Sequence, residues 1–223
     1  MSIADERADY YANRKPDRVL EKYIKKRLKK ENNTMSKKIV LRNVRLSYEH
    51  IFKASAFDDS QEPKFSATLI IPKDHPDLAA VKKAFFEAGQ ETFPSDFTGG
   101  SWPRGFTCSL KDADKDTDGS GKLLAEKSEA YKGCYILEAN STRRPVILNR
   151  DKSAVTEEDG IIYSGCYVNV SLAAAGYTFG KVKKGVKAYL NGVQFVKDGE
   201  RFGMDASADF DALDSEDDDD FFN

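Results

Sequence analysis

The sequence predicts a mainly β fold with one or two helices (α+β), a small barrel or sandwich with charged appendages at both ends. Three observations lead to this prediction. Several short segments between residues 39 and 197 show period-two or short apolar runs. One long stretch has helical spacing, and glycine-containing turns separate the strands. With 223 residues and 40% hydrophobic side chains, the chain has apolar material for one ordinary core.

The first 34 residues predict a charged helix that is separable from the rest of the chain. Leu20, Ile24 and Leu28 recur every four residues among lysines, and Pro16 suits the first helical turn. A polar "ENNT" follows, and the "MSKK" after it resembles a natural start. Two interpretations of residues 1–34 stay open: a basic arm that contacts nucleic acid, or an extension from an upstream start.

Strand patterns begin at Ile39. The segments "KKIVLRNVRLSY" and "KFSATLIIP" predict two strands, and "PDLAAVKKAFFEAGQET" over 76–92 predicts a helix from its apolar spacing. "SWPRGFTCSL" predicts an extended segment, and "KDADKDTDGSGK" a polar loop. Four β-rich segments follow: "YKGCYILEANS", "RPVIL", "IIYSGCYVNVSLAAAGY" and "KGVKAYLNGVQFV". We therefore expect one domain over 35–203, with an OB-like barrel as the best candidate, and a disordered acidic tail over 204–223.

The charge is distributed unevenly along the chain. Nine acids and no base lie in 205–223, and the remainder holds 35 bases against 28 acids. A basic body with an acidic tail favours a polyanionic partner for which the tail can compete. A solubility tail beside an ordinary surface explains the same charges. Two large apolar rings at the tip of the tail are not explained by disorder, and we predict that the tip binds partner proteins through Asp217, Asp218, Asp219, Asp220, Phe221 and Phe222.

The cysteines and the hydropathy bear on the compartment. Cys108, Cys134 and Cys166 form no CxxC pair and lie within predicted strands, so we expect buried thiols in a reducing compartment. No apolar stretch has the length of a membrane span, and the N-terminus lacks the apolar region of a signal peptide. We expect a soluble protein in the cytoplasm, without a membrane partner.

Two predicted strands carry rings and cations on one face. Tyr167 alternates with apolar residues in "GCYVNVSL", and Lys187 and Tyr189 do so in "KGVKAYLN". An unpaired nucleic-acid strand fits such a surface, because rings stack on bases at about 1–3 kcal/mol each while cations follow the phosphates. For any one tyrosine, the alternative is a good strand residue on a half-buried surface. Further candidate contacts close to these strands are Tyr177, Phe179, Lys181, Lys183 and Lys184.

Two more groups are candidate contacts. Adjacent arginines in the extended "NSTRRPVILNRDK" can reach phosphates or stack on bases, unless they pair with acids on the surface. In "SWPRGF", Trp102 beside Arg104 makes another platform, with a core anchor as the alternative for the tryptophan. The basic residues of the first group are Arg143, Arg144, Arg150 and Lys152.

Enzyme signatures are thin. With only His50 and His75 and no CxxC pair, the chain has little material for zinc sites or catalytic triads. "GYTFGKV" is one residue short of a phosphate loop and lacks the Ser or Thr after Lys181. "DKDTDG" over 114–119 opens like a calcium loop, but Ala125 stands at the twelfth position, which needs an acid. We predict a non-catalytic protein without metal or cofactor; a carboxylate-based, metal-dependent nuclease stays as the alternative, since it needs no motif.

From about Met35 to Gly203 the chain resembles a phage and prophage family of single-stranded DNA-binding proteins. The stretches "KFSATLIIPK", "ANSTRRPVILNRD", "IYSGCYVNVSLAA" and "KGVKAYLNGVQFVKDGERFG" carry the resemblance. It implies an OB fold, no catalysis, and largely sequence-independent binding of single-stranded DNA during phage DNA replication or recombination. "AAAGYTFGKVKKG" departs from the family, where a more aromatic, asparagine-containing segment is expected.

The tail also resembles those of bacterial and phage single-stranded DNA-binding proteins, which end in acids followed by a terminal aromatic. Here Asn223 follows Phe222. The resemblance implies that the acids compete with DNA for the basic surface and that the freed rings recruit replication or recombination proteins. The remaining alternative is an interaction adaptor that uses only the tail. Self-association is compatible with every one of these interpretations.

Overall fold

The computed structural model of the protein describes residues 37–56, 62–180 and 183–202. The predicted N-terminal helix, the acidic tail and Lys181 lie outside the described residues. Two short 3₁₀ turns occur at Leu124–Glu126 and Glu129–Tyr131. The helix and strands are β1 (Lys37–Ser55), β2 (Lys64–Pro72), α1 (Leu78–Thr92), β3 (Thr107–Cys108), β4 (Leu110–Asp112), β5 (Cys134–Ser141), β6 (Val146–Leu148), β7 (Tyr167–Phe179) and β8 (Lys183–Lys197).

Five strands close into a barrel in the order β1, β2, β5, β8, β7 and back to β1. The β5–β8 pair is parallel and the other four pairs are antiparallel. A five-stranded barrel of this kind with one helix confirms the predicted OB-like α+β fold.

Alternation along the strands decides which side chains fill the barrel. In β7, Val168, Val170 and Leu172 are fully buried, while the residues between them are half-buried on the outer face. In β8, Val186 and Ala188 point inward in the same way. The period-two pattern predicted these inward and outward faces correctly, because successive strand residues point to opposite sides of a sheet.

The first strand is longer than its pattern predicts. The alternation in "KKIVLRNVRLSY" ends at Tyr48, but β1 continues to Ser55. Asn43 and Tyr48 have positive φ angles of 52° and 45°, and the pairing register shifts beside each of them. These irregularities interrupt the period of two, as β-bulges do.

Helix α1 packs against β1 and β7 through Leu78, Val81 and Phe85, which are buried. Gly89 is needed on the same helix, since a Cβ at this position would collide with the ring of Phe97. Lys37 on β1 forms an ion pair with Glu91 near the end of the helix, 2.6 Å from Nζ to Oε1. The helix therefore sits against the barrel through apolar and charged contacts.

Strands β5 and β8 pair directly at only two positions, Ala139 with Ala188 and Asn140 with Tyr189. Elsewhere β3 pairs with β8 and β4 pairs with β5, so the short segment 107–112 fills the gap between them. The loop after β4 covers part of the outer face of β2 and β5 with a second apolar cluster. Its buried members are Ile70, Ala113, Leu124, Tyr131, Cys134 and Ile136.

Residues 114–119 form a turn whose acidic side chains make hydrogen bonds and ion pairs with other residues of the chain. Asp114 accepts from Lys73 Nζ at 2.7 Å, and this contact holds the pKa of the carboxyl below its usual range. Asp118 accepts from the hydroxyl and the backbone N–H of Ser120 and pairs with Lys127 at 3.0 Å. Within the described ranges, no group of three or more His, Cys, Asp or Glu side chains is placed to hold a metal ion.

All three cysteines are free thiols. Cys134 and Cys166 are buried and Cys108 is half-buried, close to the predicted burial. Burial raises the pKa of the Cys108 thiol to about 11. None of the helices in the described part of the chain is both long and apolar enough to cross a membrane.

Candidate nucleic-acid interface

A row of four residues crosses the outer face of the barrel. Ser66 on β2 pairs with Asn140 on β5, Asn140 pairs with Tyr189 on β8, and Tyr189 pairs with Ala173 on β7. All four lie on the outward face, because the alternating neighbours in each strand fill the interior. The row therefore runs across the strands, the direction in which a polymer can contact several of them at once.

Rings and a cation alternate along the outer face of β7 and β8. Lys187 Nζ lies 4.7 Å from the centre of the Tyr189 ring and 5.5 Å from that of Tyr177. The Tyr177 hydroxyl is 2.6 Å from the Thr107 hydroxyl, which fixes its ring against β3. We call Tyr177, Lys187 and Tyr189 the ladder; it places two half-buried rings and a charge on one surface.

A groove of about 470 Å³ lies over this surface. Its depth beside the tyrosine comes from a small neighbour, since Ala173 stands opposite Tyr189. Among the described residues, no carboxylate lies within 4.0 Å of Lys64, Arg143 or Lys187, so these three cations line the groove without an ion-pair partner. The remaining lining residues are polar: Asn140, Ser141, Thr142 and Asn191.

The loop after β5 carries the predicted arginine pair. The backbone N–H of Arg143 donates to the Ser141 hydroxyl at 3.0 Å, which holds the turn. Arg143 and Arg144 are both exposed, and only Arg143 lines the groove. Arg150 and Lys152 are exposed in a tight turn, where Lys152 has a φ of 68°. Gln194 ties this turn to β8 by donating to the Arg150 carbonyl at 3.4 Å.

A second, apolar slot of about 380 Å³ continues from the groove, and the two share Asn191. Val40, Val146 and Leu148 form its apolar walls. Val146 is 60% exposed on β6, which runs parallel to β8 just beyond the arginine loop. The groove and the slot together make one continuous surface along β8.

Tyr167 lies apart from this surface. It faces Lys197 near the other end of β7, with the Lys197 amine 4.5 Å from the centre of its ring. Six strand residues separate Tyr167 from Ala173, a distance of about 20 Å. The structure therefore gives Tyr167 a cation of its own and does not bring it next to Tyr189.

Lys184 faces away from the ladder, because it alternates with Lys183 and Lys187 along β8. Its amine pairs with Asp96 at 2.8 Å and lies 5.5 Å from the centre of the Phe93 ring. Those partners belong to the helix side of the barrel. Lys183 is exposed and pairs with Phe179, which is itself 73% exposed.

Trp102 has the contacts of a core anchor, the alternative that the sequence leaves open. Its indole N–H donates to the Phe106 carbonyl at 3.3 Å, and its ring meets Phe97 edge to face at 5.4 Å. Arg104, which lies between Trp102 and Phe106 in the sequence, is exposed. Trp102 therefore belongs to an aromatic cluster beside α1, away from the row across the strands.

Sequence reasoning missed several residues of the row and of the groove: Lys64, Ser66, Asn140, Ala173 and Asn191. Their types carry no local signal for binding. Only the register of the barrel brings Asn140 next to Tyr189, since 48 residues separate the two positions. The alanine run in "SLAAAGY" is the one sequence feature that could have indicated a groove beside an aromatic strand.

Comparison with known proteins gives one family and a consistent set of solved structures. The sequence model of the family described as "Enterobacter phage Enc34, ssDNA-binding protein" matches residues 37–222, so the match extends through the acidic tail. Protein p50 of Acyrthosiphon pisum secondary endosymbiont phage 1 is 33% identical over 186 residues, covering 79% of this chain and 94% of that relative.

The solved structures with similar folds include two phage proteins. The single-stranded DNA-binding protein of bacteriophage Enc34, solved in complex with ssDNA, has a TM-score of 0.62 and 26% identity, over 74% of this chain and 89% of that chain. The single-stranded DNA-binding protein gp2.5 of bacteriophage T7 has a TM-score of 0.52 and 13% identity, over 81% of this chain and 97% of that chain. At that identity the T7 protein shows the likeness of the fold alone.

Proposed function

The chain belongs to the family of the Enterobacter phage Enc34 ssDNA-binding protein, and on this premise we propose that it is a non-catalytic, largely sequence-independent binder of single-stranded DNA in phage DNA replication and recombination. It would act in the cytoplasm of the host cell. The observation that carries the proposal is the groove across β2, β5, β8 and β7, in which Tyr189 lies together with three cations that have no ion-pair partner among the described residues.

The groove supplies what an unpaired strand needs. An unstacked base regains stacking on Tyr189, while Lys64, Arg143 and Lys187 contact successive phosphates. Stacking and phosphate contacts do not depend on base identity, which accounts for binding without sequence preference. In a duplex the base faces are already stacked, so the groove favours single strands.

Binding to labelled oligothymidine in a mobility-shift assay tests this proposal. We expect the logarithm of the affinity to fall with the logarithm of salt concentration by about 0.7 per phosphate contact. Affinity that is independent of salt, or that is higher for duplex of the same length, would rule it out. An incubation with Mg²⁺ and Mn²⁺ separates the binder from a metal-dependent nuclease, because a binder leaves the oligonucleotide intact.

We further propose that the acidic tail competes with DNA and recruits replication or recombination proteins. The nine acids of 205–223 are opposite in charge to the cations of the groove. The rings of Phe221 and Phe222 suit an apolar site. Removing residues 205–223 should strengthen DNA binding and abolish capture of the partner. An adaptor that uses only the tail would instead show no DNA binding with or without these residues.

A further inference from the structure

An aromatic pocket of about 740 Å³ lies outside the groove, between helix α1, the segment 102–108 and the β4–β5 pair. Its apolar lining is made mostly of aromatic rings. The main ring and aliphatic contributors are Phe85, Phe86, Trp102, Phe106, Leu110 and Tyr135.

The rings of the aromatic pocket are held in place by one another. Phe97, fully buried, meets Phe86, Trp102 and Phe106 edge to face at centroid distances of 5.3, 5.4 and 5.3 Å. The indole N–H of Trp102 is bonded to the Phe106 carbonyl. The wall is therefore preformed, and a ligand would not have to order it.

Among the residues that the structure describes, one cation of the rim has no ion-pair partner. Lys82 Nζ lies 4.0 Å from the centre of the Tyr135 ring, and no carboxylate of the described residues lies within 4.0 Å of it. The other rim charges are engaged: Lys111 pairs with Glu138 at 3.4 Å, and the Asp116 carboxylate accepts the Asp112 N–H at 2.6 Å. The site thus combines aromatic walls with a rim that carries the Lys82 amine and, separately, the negative charge of Asp116.

We infer that the aromatic pocket binds Phe221 and Phe222 of the same chain, with the acids before them placed against Lys82. An aromatic pocket with the Lys82 amine at its rim matches a peptide in which four aspartates, Asp217 to Asp220, directly precede two phenylalanines. The docked segment would cover rings that are otherwise left half-exposed beside α1.

The chain is long enough for this contact. Eighteen residues, 203–220, connect Phe202 to the two rings. They span up to about 60 Å when extended. A compact domain of this size has a radius of gyration of about 15 Å, so the segment reaches any point of its own surface.

The aromatic pocket also adjoins the ladder. Thr107 lines the pocket, and its hydroxyl is 2.6 Å from the Tyr177 hydroxyl. Four residues span about 14 Å, so with Asp220 at Lys82 the acids farther from the rings would extend towards Lys187. This last step rests on the proposed function, because it gives the tail a fixed anchor from which its acids meet the DNA groove; the seating of the rings does not depend on it.

The test uses Trp102, the only tryptophan of the chain, as a reporter inside the aromatic pocket. In the full-length protein, replacing both terminal phenylalanines (F221A/F222A) should shift the Trp102 emission to longer wavelength and increase its quenching by acrylamide. Phe210→Ala is the matched control, since it removes the same ring from the same tail outside the tip, and should leave both readings unchanged. Equal readings for the double variant and the parent chain would overturn the inference, as would an equal effect of the control.

Two further measurements test the role of Lys82 and whether the docked tail belongs to the same chain. Lys82→Glu should reproduce the spectral change of the double variant, whereas Lys83→Glu, on the neighbouring exposed position of α1, should not. The emission of the full-length chain should be independent of protein concentration; a change on dilution would assign the tail to a second copy and overturn docking within one chain. Oligothymidine affinity is measured on the same samples, so that loss of DNA binding and loss of ring docking are read independently.

Discussion

The amine of Lys187 lies 4.7 Å from the centre of the Tyr189 ring, on the outer face of β8 where the row across four strands passes. A stacking surface and a positive charge thus stand side by side at the middle of the groove. This pair of residues gives the sharpest tests of the proposed interface.

Replacing Tyr189 with Ala should weaken the binding of oligothymidine by about 1–3 kcal/mol, or about 5- to 150-fold in Kd, because one base loses its stacking partner. Tyr189→Phe keeps the ring and should bind nearly as well as the parent. Fluorescence anisotropy measures both, and circular dichroism checks that the barrel is intact. Equal affinity of the Ala variant and the parent would remove Tyr189 from the interface.

Replacing Lys187 with Gln should reduce the salt dependence of binding by about 0.7 in the log–log slope, since one phosphate contact is lost. Lys184→Gln is the matched control: this lysine is three residues away but pairs with Asp96 on the helix side. It should leave the slope unchanged and lower the melting temperature instead. The same slope change in both variants would show that the charge of β8, and not the ladder, attracts DNA.

Tyr167 offers a test of how far along the barrel DNA extends. It forms its own ring–cation pair with Lys197, about 20 Å from the row. We expect Tyr167→Ala to leave the affinity for a short oligothymidine unchanged and to weaken the binding of a long one. Titrations with oligonucleotides of increasing length measure the crossover. An equal loss at every length would contradict the separation that the strand register predicts.

Asp114 gives a pH test of the loop that covers β2 and β5. Lys73 lowers the pKa of this carboxyl in the folded state, so its stabilising effect is present above the unfolded pKa of about 4 and is lost as the pH falls through the folded value. Asp114→Asn should therefore lower the melting temperature more at pH 7 than at pH 2. Glu62→Gln, at an exposed position, is the control and should have little effect at either pH. A constant effect of Asp114→Asn across this range would show that the charge is unimportant.

The sequence predicted those features that depend on local alternation. The outward placement of Lys187 and Tyr189 follows from the period of two, which holds wherever a strand has one buried face. Lys184 shows the limit of this reasoning. Proximity in sequence predicts it as a candidate contact beside Lys183, although the same alternation places it on the other side of the strand.

The sequence does not predict contacts between segments that are distant along the chain. Nothing in "YKGCYILEANS" indicates that Asn140 pairs in parallel with Tyr189, because the register of a barrel is set by its closure as a whole. The sequence leaves the role of Trp102 open for a similar reason: its partner Phe97 lies in a segment without a periodic pattern. The groove cations Lys64 and Arg143 come together only through these pairings.

The barrel is joined at its β5–β8 seam by only two residue pairs, and the row from Ser66 to Ala173 crosses that seam. A polymer bound along the row would therefore bridge β5 and β8, the neighbouring strands of the barrel that share the fewest paired residues. Amide protons at 139–140 and 188–189 should then exchange more slowly when the ligand is present, by more than those of the long β7–β8 hairpin. The stability of the closed barrel and the binding of a ligand in its groove are then coupled.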